Sequence, residues 1–158
     1  MFRNMLRAKQ QLTQAECVEI LKTEKRGVLS VLGDGGYPYG IPLNHYYNEA
    51  DGKLYFHSGR LGHKLDALRG CDKASFCVLD QGRREDGDWA LRFRSVIVFG
   101  RVAFIEDRET VYAIAARLSR KFTDDEAYIA EELRRSGPAT CMFSLTPEQI
   151  TGKRVKES

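Results

Sequence analysis

The stretch His57-Ser58-Gly59-Arg60-Leu61-Gly62-His63-Lys64 gathers more chemically useful side chains than any other part of the chain. It follows a strand-like run, Leu54-Tyr-Phe-His57, and leads into Gly62–Arg69, where Leu61, Leu65 and Leu68 recur at helical spacing. The segment is therefore predicted to run from a strand end to a helix start. The first turn of a helix has unpaired backbone N–H groups and a partial positive charge, so basic side chains are unfavourable there. Arg60, His63 and Lys64 nevertheless crowd that end. An anion sitting among them removes the conflict. Ser58 adds a hydroxyl, Gly59 and Gly62 let the backbone come close, and a phosphate fits the set. The competing reading is an exposed loop whose basic side chains point into water. The spacing is neither that of a Walker loop nor that of a Rossmann fingerprint.

The elements that must position this segment follow from pattern. Thr13 and Glu16 have capping-box spacing, and the stretch to about Lys25 reads as a helix burying Ala15, Val18, Ile20 and Leu21. Gly27–Leu32 is a strand, Asp34-Gly35-Gly36 a hairpin turn, and Tyr37–Tyr47 a second strand. Pro38 and Pro42 make that second strand irregular or place it at an edge. Leu54–His57 is the third strand and Lys73–Leu79 the fourth. Gln81–Asp88 is a charged loop, and Ala90–Ile105 forms one or two further strands. Glu106–Phe122 and Asp124–Arg135 read as helices, and Ala139–Leu145 closes as a strand. This order predicts one domain over 1–158, with 149–158 as a C-terminal tail. The fold class is α+β: a mostly antiparallel β-barrel with flanking helices rather than a doubly wound sheet.

Bulk properties narrow the function. At 158 residues, 42% hydrophobic and 30% charged, the chain can bury a core without disulfides or metal. A net charge of +3 with scattered basic residues gives no argument for nucleic acid. The run Lys153, Arg154, Lys156 reads as a solvated terminus. No apolar run approaches the ~20 residues of a membrane span, and the opening MFRNMLRAKQQ is too polar for a signal peptide. Cys17, Cys71, Cys77 and Cys141 include no CxxC pair and suggest reduced thiols in a cytoplasm. His57, His63, Cys71 and Cys77 match no zinc spacing, so no metal is expected. Cys77 reads as core. His45 is either a proton donor near a bound ring or a plain hydrogen-bonded histidine. Trp89 and Phe93 either cover a ring or simply pack. No nucleophile–base pair or carboxylate pair stands out, so no catalytic residue is named.

Leu54-Tyr-Phe-His57-Ser58 followed by Gly62-His63-Lys64 resembles the phosphate-binding segment of the pyridoxamine 5′-phosphate oxidase-like flavoproteins. Pro42-Leu43-Asn44 is similar to the family's preceding strand, whose backbone meets the flavin ring. Arg94-Ser95-Val96-Ile97-Val98-Phe99-Gly100 resembles a later strand at the cofactor site, and Ile150-Thr151-Gly152-Lys153 the C-terminus of the nitroimidazole reductase branch. The resemblance implies a split barrel binding FMN through Pro42, Leu43, Asn44, His57, Ser58, His63 and Lys64. It also implies a homodimer in which Arg94 and Ser95 serve the partner's flavin. The implied activity is an FMN-dependent oxidoreductase passing electrons to a small electron-poor acceptor such as a nitroimidazole. In that case the cofactor carries the electron chemistry, and the protein binds and orients it. The chain departs from the oxidase proper in lacking its Arg-rich C-terminal segment, and in having Ser95 where the oxidase often has Gln. Other readings are a flavin- or haem-binding protein without turnover, a deazaflavin-dependent reductase, an oxidase of pyridoxamine phosphate, and an interaction protein that has lost the cofactor.

Overall fold

A computed structural model describes residues 2–157. Helix α1 (Gln14–Thr23) starts at the expected capping box: the Thr13 hydroxyl accepts from the Glu16 N–H at 3.2 Å, and Glu16 accepts from the Thr13 N–H at 2.8 Å. Its buried side carries Cys17, Ile20 and Leu21, while Ala15 is exposed. Strands β1 (Arg26–Leu32), β2 (Pro38–Asn44), β3 (Tyr46–Asn48), β4 (Lys53–Ser58), β5 (Lys73–Leu79), β6 (Arg92–Ile105) and β7 (Cys141–Lys156) form one antiparallel sheet. Its order is β2-β1-β5-β6-β7-β4-β3.

That order dictates a barrel. The outermost strands, β2 and β3, are consecutive in the chain, with only His45 between them. A sheet whose two edges are joined by one residue has to curl until they meet, leaving a split rather than a hydrogen-bonded seam. The prolines fall on edge strand β2, where a missing N–H costs least.

His45 is 0% exposed at this junction. Its Nε2–H donates to the Leu21 carbonyl at 2.7 Å, since a carbonyl can only accept, and its Nδ1 is buried without a partner. Burial, with the nearby Lys121 ammonium, pushes the imidazole pKa down to about 3. The plain hydrogen-bonded reading of this histidine fits this environment. Lys121 Nζ donates to the carbonyls of Glu24 at 2.7 Å and His45 at 2.8 Å, tying the end of α1 to the junction. Burial brings the Lys121 pKa down to about 8.

Inside the barrel, Phe56 meets Phe76 edge-on at 4.9 Å and stacks on Phe143 at 5.2 Å. Helix α2 (His63–Gly70) closes over this core with Leu65 and Leu68. Leu61, expected on the same face, lies before the helix and is 90% exposed. Helices α3 (Arg108–Ser119) and α4 (Glu126–Ser136) are capped by Asp107 and Asp125, and α3 covers a second cluster around Tyr55 and Met142. Among the described residues no helix is long and apolar enough to cross a membrane.

Two expectations need correction. Residues 149–156 are not a tail but the second half of β7, paired with β6 as far as Arg92↔Lys156. Phe99 pairs with Gln149 and Gly100 with Pro147, so Glu148 is the extra residue of a β-bulge. The bulge shifts inward-facing positions from Phe143 and Leu145 to Ile150 and Gly152, and breaks the alternation that would mark one long strand. Cys77 is not core. It sits in register with Val28 and Ile97 on the outer face of the sheet, opposite the inward Phe76 and Val78. Ile97, Phe99, Val28 and Leu79 make this outer face apolar, and the Phe2 ring stacks on Phe99 at 5.7 Å.

Candidate functional site

Strand β4 delivers Ser58 to one end of the barrel, beside Cys141 of β7. The chain then turns through Gly62, whose φ of +129° is open to glycine and strained for other residues, and enters α2 at His63. No side chain caps this helix among the described residues. The N–H groups of Leu65 and Asp66 return to the Gly62 carbonyl, at 2.9 and 3.2 Å. Those of His63 and Lys64 precede the first intrahelical bond and are free for a ligand.

Lys64 is half-buried in this corner. Burial pulls its ammonium below the ordinary lysine pKa, and no carboxylate pairs with it among the described residues. His57 projects outward from β4. The protein around it and the Lys64 ammonium both push its pKa down. Arg60 turns away and donates to the Pro138 carbonyl. The His63 ring lies against the β1–β2 hairpin, with Nε2 3.1 Å from the Asp34 backbone nitrogen and its face stacked on Tyr39 at 4.4 Å. The corner therefore offers a hydroxyl, two backbone donors and a desolvated ammonium with no counter-charge. This donor set fits a phosphate.

Strand β2 runs from this corner toward Pro42, Leu43 and Asn44. Tyr39 at its start touches His63, and Leu43, about 13 Å further along the strand, packs on the main core. Asn44 is occupied by its neighbour, its Oδ1 accepting from Arg26 Nε at 3.2 Å. The split side of β2 comes close to β4.

Arg94 and Ser95 lie elsewhere. Arg94 pairs with Arg154 near the start of β6, whereas Ser58 lies one rung beyond Ile105 at its end. The eleven residue steps from 94 to 105 put roughly 35 Å along the strand between them. Within one protomer these two groups do not meet. Arg94 is clamped by Asp80, which accepts its N–H and its Nε–H, each at 2.8 Å. Burial alone would raise Asp80, but the hydrogen bonds from Arg94 and Gly82 outweigh it and hold the carboxyl below its ordinary range.

This far end also holds what the sequence reading missed. A cavity of about 780 Å³ is lined by Arg83, Arg92, Arg94, Arg154 and Lys156 together with Glu16 and Asp80. Register places Arg92 opposite Lys156 and Arg94 opposite Arg154. Like charges face to face are unfavourable, and carboxylates offset them: Arg154 pairs with Glu16 at 2.7 Å, Lys156 with Asp88 at 3.0 Å, and Arg92 with Glu85. The signal was the i, i+2 spacing of Arg92/Arg94 and Arg154/Lys156, which puts each pair on one strand face. Reading 149–158 as a tail hid it. Trp89 is 72% exposed on the neighbouring loop.

Comparison with known proteins places this geometry. The chain is similar to a candidate 5-nitroimidazole antibiotic resistance protein from Bacteroides thetaiotaomicron, with 21% identity, 93% of this chain and 87% of the other covered, and a TM-score of 0.77. It is also similar to an FAD-binding protein from Mesorhizobium loti, with 24% identity, coverages of 92% and 97%, and a TM-score of 0.65. A third similar structure is an FAD and haem binding protein from Mycobacterium smegmatis, with 20% identity, coverages of 94% and 74%, and a TM-score of 0.73. At these identities the three share its fold. No curated protein matches the chain. The sequence model of one family matches residues 13–154, nearly the whole of the split barrel, and the chain thereby belongs to the pyridoxamine 5′-phosphate oxidase family.

Proposed function

We propose that this protein is a flavin-binding oxidoreductase that holds FMN along the barrel split and reduces a small, electron-poor acceptor such as a nitroimidazole. One observation carries the reading: Lys64 is a desolvated cation with no carboxylate partner among the described residues, at a helix start that no side chain caps among them. A phosphate supplies the missing charge. Ser58, the α2 backbone donors and Lys64 hold the phosphate, and the backbone from Pro42 to Asn44 lies along the ring. His57 stays neutral next to Lys64 and adds no competing charge. The bound flavin supplies the redox chemistry, and these residues anchor and orient it. A single compact donor cluster suits FMN better than FAD, whose second phosphate would need another partner. The family membership and the flavin-binding similar proteins support the cofactor class, and the nitroimidazole resistance protein supports the acceptor.

The working unit is a homodimer in this reading. Val28, Cys77, Ile97 and Phe99 form an apolar outer face that a second copy would cover. Arg94 and Ser95, remote from Ser58 in their own protomer, would then reach the partner's flavin. Four unpaired cysteines suit a reducing cytoplasm.

The absorbance spectrum of the purified protein, with mass spectrometry of the released cofactor, tests the reading. A flavin spectrum and an FMN mass are expected, and anaerobic addition of a nitroimidazole should reoxidise the reduced protein. A Soret band, an FAD mass, or pyridoxal phosphate formation with no reaction toward nitro compounds would contradict it. Sedimentation should give a flavin-loaded dimer, and a monomer that keeps FMN tightly would remove the shared site.

A further inference from the structure

His63 is the one member of the corner whose ring is held from outside it. Nε2 lies 3.1 Å from the Asp34 backbone nitrogen. A backbone N–H can only donate, so Nε2 carries the lone pair and the ring proton sits on Nδ1. The Asp34 carboxylate is further off, at 3.5 Å, and its side chain is almost fully in solvent, so the backbone contact decides the tautomer. Tyr39 fixes the ring plane, with centroids 4.4 Å apart and planes 12° apart. Gly33 fixes the other side: a Cβ there would come within 3.3 Å of the His63 Cε1 and 2.9 Å of the Tyr39 Cβ. Nδ1 is the ring nitrogen nearer the main chain. It belongs to the residue whose own backbone N–H opens α2, where no side chain caps the helix among the described residues.

We propose that the β1–β2 hairpin is a positioning device for the flavin phosphate: the Asp34 backbone N–H locks His63 as an Nδ1–H donor that joins Ser58 and Lys64 on the phosphate. This rests on the phosphate reading of the α2 corner. It gives the hairpin turn, which supplies no ligand contact of its own, a role in selecting phosphorylated over unphosphorylated flavin.

The turn allows a clean test. The hairpin bonds run from Gly33 N–H to Tyr37 O, from Gly36 N–H to Gly33 O and from Tyr37 N–H to Asp34 O, so the Asp34 N–H serves His63 alone. Gly33 is extended, with φ −85° and ψ −177°, and Asp34 opens a 3-10 turn. Both conformations accept a proline at position 34. Asp34→Pro thus removes the N–H, whereas Asp34→Ala removes only the carboxylate. Long-range 15N NMR of the apo wild-type protein should show His63 protonated on Nδ1. Asp34→Ala should keep that tautomer and bind FMN within about twofold of wild type. Asp34→Pro should lose the tautomer and bind FMN about tenfold more weakly, with riboflavin affinity unchanged. Tyr39→Leu, which frees the ring without touching the turn, should weaken FMN in the same direction. An Nε2–H tautomer in the wild type overturns the proposal. So does an Asp34→Pro variant with wild-type FMN affinity, or an Asp34→Ala variant as weak as Asp34→Pro. Lys64→Met separates the two levels. If it shifts FMN against riboflavin while Asp34→Pro does not, only the hairpin's role fails; if it shifts neither, the phosphate reading fails as well.

Discussion

The two ends of the barrel handle positive charge in opposite ways. At the β6 start, Arg92, Arg94, Arg154 and Lys156 crowd together, and each is matched by a carboxylate from Glu16, Asp80, Glu85 or Asp88. At the α2 start, Lys64 is half-buried with none among the described residues. Arg83, the fifth cation of the cavity at the β6 start, has no such partner among the described residues but stays exposed to water, whereas Lys64 is drawn out of water without one, which marks the second end as the place where a ligand brings the charge. The first end resembles a prefabricated ionic framework that needs no ligand to be stable.

The largest effect expected belongs to neither end but to the β2–β3 junction at His45. The unfolded His45 imidazole takes up a proton near 6.5, while the buried one resists down to about 3. The unfolded state binds more protons in this window, so His45's contribution is intact above 6.5 and is lost as the pH falls toward 3. The ceiling is about 5 kcal/mol. Urea unfolding at pH 7 and pH 4 should show the loss, and His45→Gln should flatten it. An equally steep loss in the variant would remove His45 from the junction's account.

Lys64→Met comes next and separates the ends directly. FMN affinity should fall by roughly ten- to a hundredfold, since a charge-assisted contact is worth about 1.5–3 kcal/mol. Riboflavin should hardly notice. The apo-protein should be as stable as wild type or slightly more so, because a cation at a helix start opposes the dipole. Flavin fluorescence titrations and thermal unfolding read both effects. Asp80→Asn should do the reverse: it weakens two bonds to Arg94, lowers stability by about 1–2 kcal/mol, and leaves the FMN-to-riboflavin ratio unchanged. A changed ratio would mean that the far end reads the phosphate. The smallest effect is expected for Arg154→Gln, an exposed pair with Glu16, where melting temperature and flavin affinity should both stay at wild-type values.

Much of this arrangement is legible in the sequence. The capping box at Thr13 and Glu16, the edge position of a proline-bearing strand and the strand-to-helix passage at Ser58–Lys64 all follow from local chemistry, and local chemistry is what a sequence displays. What stayed hidden depends on pairing. The bulge at Glu148 changes which residues of β7 face inward, so the strand reads as ending at Leu145. Cys77 alternates with two core residues, and only the register with Val28 and Ile97 shows that it faces outward. Leu61 has helical spacing to Leu65 but lies before the first helical residue. The tilt of the His63 ring toward Asp34 crosses 29 residues and has no local signature. The same is true of the distance between Arg94 and Ser58, which only the strand register fixes.

The most direct test of the phosphate reading follows the Lys64 ammonium itself. Side-chain 13C or 15N NMR of the apo-protein should find Lys64 titrating below the ordinary lysine value, as its burial requires. On saturation with FMN the phosphate should raise that titration point, while saturation with riboflavin should leave it at or below the apo value. A Lys64 resonance that titrates alike in the apo, FMN-bound and riboflavin-bound protein would show that no phosphate sits at the start of α2, and the account of this site would be wrong.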